Sequence, residues 1–221
     1  MAKSYIRCGD CLELMKDIPD NSVDFVFTDI PYGEVNRKSN GLRNLDKGKA
    51  DEETFCLREF LPKVYRIVKN SICIFCGREQ FSEIYSFFAK KEGTVRPIVW
   101  EKSNPSPMNG QNVYLSGVEF AVWFKKKGRK TFNAHCKNTV FKYPCGKSKL
   151  HPTEKNYNLI KEIILDNTNE GDLVCDPCMG SGSTGAVCIR TKRNFIGFEK
   201  DKNYFLISRQ RLKKERKLLN S

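Results

Sequence analysis

No stretch of this 221-residue chain approaches the length of a membrane span, and the opening MAKSYIRCGDCLEL has no apolar core of the kind found in secretory leaders. A cytoplasmic location and no membrane partner are therefore expected. Internal repeats and low-complexity tracts are also absent, which argues against a solenoid or a disordered tail. Acid is the scarce charge: 26 Asp and Glu face 39 Lys and Arg, leaving a net +13. That imbalance favours a polyanionic partner, most often nucleic acid, although charge alone does not separate such a protein from a merely basic soluble one. With 39% hydrophobic and 29% charged residues, the chain can bury a core and is expected to form one α/β domain.

Cysteine, by contrast, is plentiful. Among the ten cysteines, three pairs have CxxC spacing: Cys8/Cys11, Cys73/Cys76 and Cys175/Cys178. A zinc site would need two such pairs on turns facing one metal. Cys73 and Cys76 lie inside the strand-like run SICIFCG, where an offset of three points side chains to opposite faces. The cysteines are read as small buried hydrophobes in a reducing compartment, with no metal.

Taken in order, strands are expected at Lys3–Cys8, Val23–Thr28, Ser71–Cys76, Arg96–Trp100, Val118–Phe124, Leu173–Cys175 and Asn194–Phe198. Helical spacing marks Cys11–Lys16, Glu53–Lys69 (with Pro62 placing its start later), Gln80–Lys90, Lys155–Asp166 and the segment from Asp201, which should bury Tyr204, Ile207, Leu212 and Leu218. Residues 34–49, 101–116 and 131–150 read as irregular. Strands alternating with helices predict a doubly wound, mostly parallel sheet.

Two strand ends carry the chemistry. The first is LVCDPCMGSGSTG, residues 173–185, in which strand, glycine turn and helix follow one another. Gly180, Gly182 and Gly185 satisfy GxGxxG, and Glu199 ends the next strand, where a carboxylate can accept hydrogen bonds from ribose hydroxyls. An adenosine-bearing cofactor fits, but NAD, FAD and S-adenosylmethionine (SAM) folds share the pattern, and a tight structural turn does too. A phosphate-binding P-loop is excluded, because no Lys-Ser/Thr follows the last glycine.

The second is Asp29-Ile30-Pro31-Tyr32, after the buried strand VDFVFT. In a parallel sheet it opens on the same edge as the glycine turn. The exocyclic amino group of a base is a poor nucleophile, since its lone pair is delocalised into the ring. The Asp29 carboxylate and the Ile30 carbonyl could accept its two hydrogens and aim the nitrogen at an electrophile, while Tyr32 stacks on an extruded base. The plain alternative is a proline turn with Tyr as a core plug.

DIPYG resembles the DPPY motif of amino-methyltransferases acting on DNA. With GDCLELM before it, HPTEKN ahead of the glycine strand, and GDLVCDPCMGSGSTGAV…RNFIGFEKDKNY, the chain resembles the β-group adenine-N6/cytosine-N4 DNA methyltransferases over nearly its whole length. The resemblance implies a Rossmann-like SAM-methyltransferase sheet with a reversed edge strand, SAM as cofactor, double-stranded DNA as partner, and a single domain over residues 1–221. It places Asp29, Ile30, Pro31 and Tyr32 in catalysis. It assigns SAM binding to Asp10 and Cys11 beside the adenine, Asp176, Cys178, Gly180, Ser181, Gly182 and Ser183 in the loop, and Glu199 at the ribose. His151, Thr153 and Lys155 match the motif near the methionine end, where Lys155 could pair with the cofactor carboxylate.

Ile30 replaces the first proline of DPPY while keeping the carbonyl, Asn156 replaces the proline that usually ends HPTEKP, and Cys178 stands where related loops carry Phe. An Asp-first motif favours adenine N6; cytosine N4, a structured RNA substrate and a catalytically dead nucleic-acid-binding module remain open, and a nicotinamide oxidoreductase would leave DIPY and the charge unexplained. Residues 34–53 and 101–117, with Gln111 and Asn112 as base readers, and Lys125–Lys130 for phosphates, are the candidates for a minimal target-recognition region. So little material suggests that a homodimer or accessory chain helps to grip DNA.

Overall fold

Eight strands form one sheet in the computed structural model, which describes residues 2–31, 56–107, 110–145 and 155–220. They are β1 (Ser4–Cys8), β2 (Val23–Asp29), β3 (Val68–Cys76), β4 (Gly93–Lys102), β5 (Val118–Lys126), β6 (Val140–Tyr143), β7 (Leu173–Asp176) and β8 (Asn194–Glu199). The helices are α1 (Cys11–Leu14), α2 (Leu57–Ile67), α3 (Arg78–Ala89), α4 (Tyr157–Asn167), α5 (Ser183–Arg190) and α6 (Lys202–Asn220). The strand order is β1-β8-β7-β2-β3-β5-β4-β6. β5 runs antiparallel to both of its neighbours, β3 and β4.

The expected mostly parallel, doubly wound sheet is present, with one correction. The reversed strand is not at the edge, because β4 and β6 lie outside it. β6 falls in the stretch read as irregular; it is only four residues long, and Lys142 interrupts its apolar character. It pairs in parallel with β4 and receives the Trp100 indole N–H on the Tyr143 carbonyl at 2.9 Å.

Alternation along the central strands divides the apolar residues between two cores. Val26, Ile72 and Ile74 face α1, α2 and α3, whereas Phe25, Phe27, Cys73 and Phe75 face α4 and α5. Cys76 joins the first core and Cys73 the second, so the two thiols of that CxxC lie on opposite faces. Helix α2 begins at Leu57 despite Pro62 inside it. The buried stripe Phe60, Leu61, Val64 and Ile67 outweighs the one hydrogen bond that proline removes. In α6, Leu212 is buried as expected, but Leu218 is 56% exposed.

The topology opens a crevice between β7 and β2. From β7 the chain passes through α5 to β8 on one side, and from β2 it moves to β3 on the other. Phe25 pairs with Val174 and Val26 with Cys175, so the carboxyl ends of β2 and β7 emerge side by side. Open α/β sheets bind ligands at such switch points.

Candidate active site

The glycine turn after β7 is held from within. Buried Asp176 accepts the Cys178 backbone N–H at 3.1 Å and the Thr184 hydroxyl at 2.6 Å. Burial pushes its carboxyl up to about 7, against the hydrogen bonds that favour the charged form. Gly182, with φ +81°, caps α5 in the left-handed region and sits against α6: a Cβ there would lie 2.9 Å from the Ser208 Cβ. Buried Ser181 and Ser183 receive the Arg211 guanidinium on their hydroxyls at 3.1 and 2.9 Å.

Glu199, at the end of β8, accepts the backbone N–H groups of Gly180 and Asp201, each at 2.8 Å. Its carboxyl lies above the ordinary range, chiefly through burial. Asp10 caps α1 by accepting the Leu12 N–H at 2.8 Å, and the Gly9 N–H bonds the Glu199 carbonyl at 2.9 Å, drawing the ends of β1 and β8 together. The Cys178 thiol is raised well above its ordinary value, first by a hydrogen bond with Cys11 and then by burial, so it stays protonated and packs rather than reacts.

At the neighbouring strand end, the Asp29 side chain is 28% exposed, and Lys155 Nζ bonds its Oδ2 at 2.8 Å. Lys155, only 5% exposed, also bonds Glu119 Oε2 at 2.7 Å, and Lys102 bonds Glu119 Oε1 at 2.8 Å. The Lys155 ammonium lies 5.3 Å from the Phe75 ring centre and 6.0 Å from that of Trp100. Burial pulls its pKa down, but Asp29 and Glu119 outweigh this, and the lysine is held protonated. The Ile30 N–H bonds the Phe75 carbonyl at 3.1 Å and its side chain is buried in the core, while Pro31 offers its carbonyl to Gln80 at 2.9 Å. Isoleucine thus fills apolar space beside α1, where the DPPY pattern has its first proline.

The fold therefore brings Asp29, Ile30 and Pro31, at the end of β2, beside Asp10, Cys11, Asp176, Cys178, Gly180, Ser181, Gly182, Ser183 and Glu199 at the ends of β1, β7 and β8. Tyr32, His151 and Thr153 lie outside the described residues, as does the whole of the stretch 34–53. Lys155, expected near the methionine end of the cofactor, lies between Asp29 and Glu119 and pairs with both. Likewise Asp176, Ser181 and Ser183 brace the turn from behind. Sequence reasoning missed Glu119, Lys102 and Arg211. Arg211 had a signal, since it lies on the α6 face of Tyr204 and Ser208 at helical spacing. Glu119 and Lys102 had none, because their partners are far away in the chain.

The fit of an adenosine cofactor rests on Glu199, whose partly buried carboxylate keeps acceptor capacity beside the backbone of the glycine turn. The DNA methylase family model matches residues 23–140 and 135–210. The Type II methyltransferase M2.DpnII of Streptococcus pneumoniae is 28% identical, over 96% of this chain and 91% of its own length. The Type II methyltransferase M.HinfI of Haemophilus influenzae is 28% identical over 93% of this chain and 67% of its own. The crystal structure of the M1.HpyAVI–SAM complex superposes with a TM-score of 0.74 at 32% identity, covering 95% of this chain and 100% of that one. The PvuII DNA methyltransferase (cytosine-N4-specific) matches with a TM-score of 0.76 at 20% identity, over 100% of this chain and 92% of the other, a likeness of fold alone. Two ligand-facing strand ends at one switch point, in this chain order and with these relatives, place the chain in the N6/N4 DNA methylase family.

Proposed function

We propose that the protein transfers a methyl group from SAM to the exocyclic N6 of adenine in DNA. The observation that carries this reading is Asp29, a partly exposed carboxylate fixed by a buried lysine, side by side with a glycine turn whose next strand ends in Glu199. SAM, when bound, supplies a methyl group made electrophilic by its sulfonium. Glu199 would hold the ribose hydroxyls, Asp10 and Cys11 would flank the adenine, and the turn 178–183 would lie against the remainder. By motif, His151, Thr153 and Lys155 would lie toward the methionine end.

Asp29 and the Ile30 carbonyl accept the two amino hydrogens of the target base, which turns the nitrogen lone pair out of conjugation and toward the methyl donor. As positive charge develops on that nitrogen, the Asp29 carboxylate stabilises it, and Lys155 keeps the carboxylate in place. An extruded base would stack on Tyr32.

Target recognition falls to the segments 34–53 and 101–117, hung on a single methyltransferase domain. Among the described residues of the second segment, Gln111 and Asn112 are exposed and Tyr114 is 103% exposed, at the sheet edge where β4 ends and β5 begins. With so small a reading surface, a second copy of the chain would extend the grip on the double helix. The net +13 suits the phosphate backbone. No helix among the described residues is long and apolar enough to cross a membrane.

The test is incubation with tritiated SAM and unmethylated duplex DNA, followed by nucleoside analysis. Label in N6-methyldeoxyadenosine is expected. Label in cytosine would replace adenine by the other amino-methylation of the family, and no label together with tight DNA binding would favour an inactive binding module.

A further inference from the structure

Lys155 has two carboxylate partners, and only one of them belongs to the catalytic motif. A buried lysine facing Asp29 alone would bind it as a closed pair and lower its strength as an acceptor. Glu119 changes that balance. It stands on β5, the single reversed strand, whose amino end is brought to the catalytic edge by its reversal. It forms an ion pair through each oxygen, with Lys155 at 2.7 Å and with Lys102 at 2.8 Å. The result is a row of alternating charge across the sheet edge, from Lys102 on β4 through Glu119 on β5 and Lys155 to Asp29 on β2. Two carboxylates on one ammonium can be no further apart than their two distances to it combined, which is within strong Coulombic range in a protein interior.

We infer that Glu119 is a positioning residue for methyl transfer: with Lys102 it takes up part of the Lys155 charge and direction, so that Lys155 anchors Asp29 through Oδ2 without neutralising it as a hydrogen-bond acceptor. This rests on the methyltransferase reading of the site. Glu119 lies below the ordinary carboxylate range because Lys155 and Lys102 outweigh the burial that pushes it up. The other titratable groups facing this pair are Cys76 on β3, whose thiol burial pushes up to about 12, and Asp176 on β7. Cys76 therefore brings no charge.

The test uses the full chain, SAM, unmethylated duplex DNA and the pH dependence of kcat. Glu119→Gln keeps the shape and removes the charge, so Lys155 turns wholly to Asp29. The expected result is a kcat loss of about 10- to 100-fold, with SAM affinity unchanged and the acid limb of kcat moved down by about one pH unit. Lys102→Gln removes a positive charge from the same row and should move the acid limb upward. Glu170→Gln, which breaks an exposed 3.4 Å pair with Lys192 away from the catalytic edge, should change neither. A merely structural Glu119 would lower thermal stability and rate but leave the limb where it was, which overturns the inference. If Glu119→Gln fails to fold, an unmoved limb in Lys102→Gln overturns it equally. Wild-type protein that transfers no label to DNA would overturn the methyltransferase reading itself, an outcome distinct from a wild type that is active with an unresponsive pH profile.

Discussion

Gly182→Ala is the sharpest perturbation of the glycine turn after β7, the proposed seat of the cofactor. Its backbone, φ +81° and ψ 26°, lies in the left-handed region, which costs an L-residue with a Cβ about 1–2 kcal/mol. The added methyl would also meet Ser208 Cβ at 2.9 Å and its Cα at 3.2 Å, a contact with helix backbone that cannot rotate away. Overpacking of this kind costs about 1–3 kcal/mol. Together the two effects amount to roughly 2–5 kcal/mol, a fall in Tm of roughly 5–15 °C for a chain of this size. Gly171→Ala isolates the first effect: φ is +87°, but no atom lies within 4 Å of the point its methyl would occupy. It should lose only the backbone part. Because the strain in Gly182→Ala pushes the turn off α6 and away from Arg211, the rise in Tm that SAM confers should also shrink. Thermal unfolding of the three proteins with and without SAM measures both quantities. A Gly182→Ala protein melting within about 2 °C of wild type, or no lower than Gly171→Ala, would refute the reasoning.

Asp176 gives a pH prediction. Its folded pKa, about 7, is above the ordinary aspartate value, so the folded state keeps a proton that the unfolded chain has already released. Its contribution to stability is therefore fully present below the unfolded pKa of about 4 and lost as pH rises through about 7. Denaturant titrations should show stability falling across that window, and Asp176→Asn should flatten the slope; an equal slope in the variant would contradict the assignment. Arg211→Met, which keeps the stem and removes the donors to Ser181 and Ser183, should weaken SAM binding by about tenfold, in line with the loss of a charge-assisted hydrogen bond. Calorimetric titration of SAM reads this directly, and unchanged affinity would show that the serines hold the turn without the guanidinium.

Local pattern made most of the fold legible. The β-branched and aromatic runs at Val23–Thr28 and Ser71–Cys76 read as buried strands because both of their faces are covered, and the glycine turn after β7 declares itself by composition; β3 in fact begins at Val68, in the stretch read as the end of a helix. What escaped were features set by distant partners. β6 is four residues long and exists through its pairing with β4. β5 could be recognised as a strand, but nothing in its residues states that it lies inside β4 and runs against both neighbours. The strand end at Asp29 was visible in DIPY, and Glu199 in its place after the glycine turn. The two partners of Lys155 were not legible either, for a clear reason. Motif matching put a cation near the cofactor, whereas the fold brings Asp29, from far earlier in the chain, and Glu119 within hydrogen-bonding distance of it. Burial of a lysine demands paired carboxylates, and only the folded chain shows which ones answer.

The central claim is that Asp29 acts on the acceptor base while the turn after β7 holds the methyl donor. Measurement of SAM affinity and of tritium transfer to duplex DNA in Asp29→Ala, side by side with wild type, tests it most directly. The account predicts SAM binding close to wild type with transfer to adenine abolished. Transfer that persists at the wild-type rate, or loss of SAM binding together with transfer in a protein that still folds, would contradict the division of the site between the two strand ends.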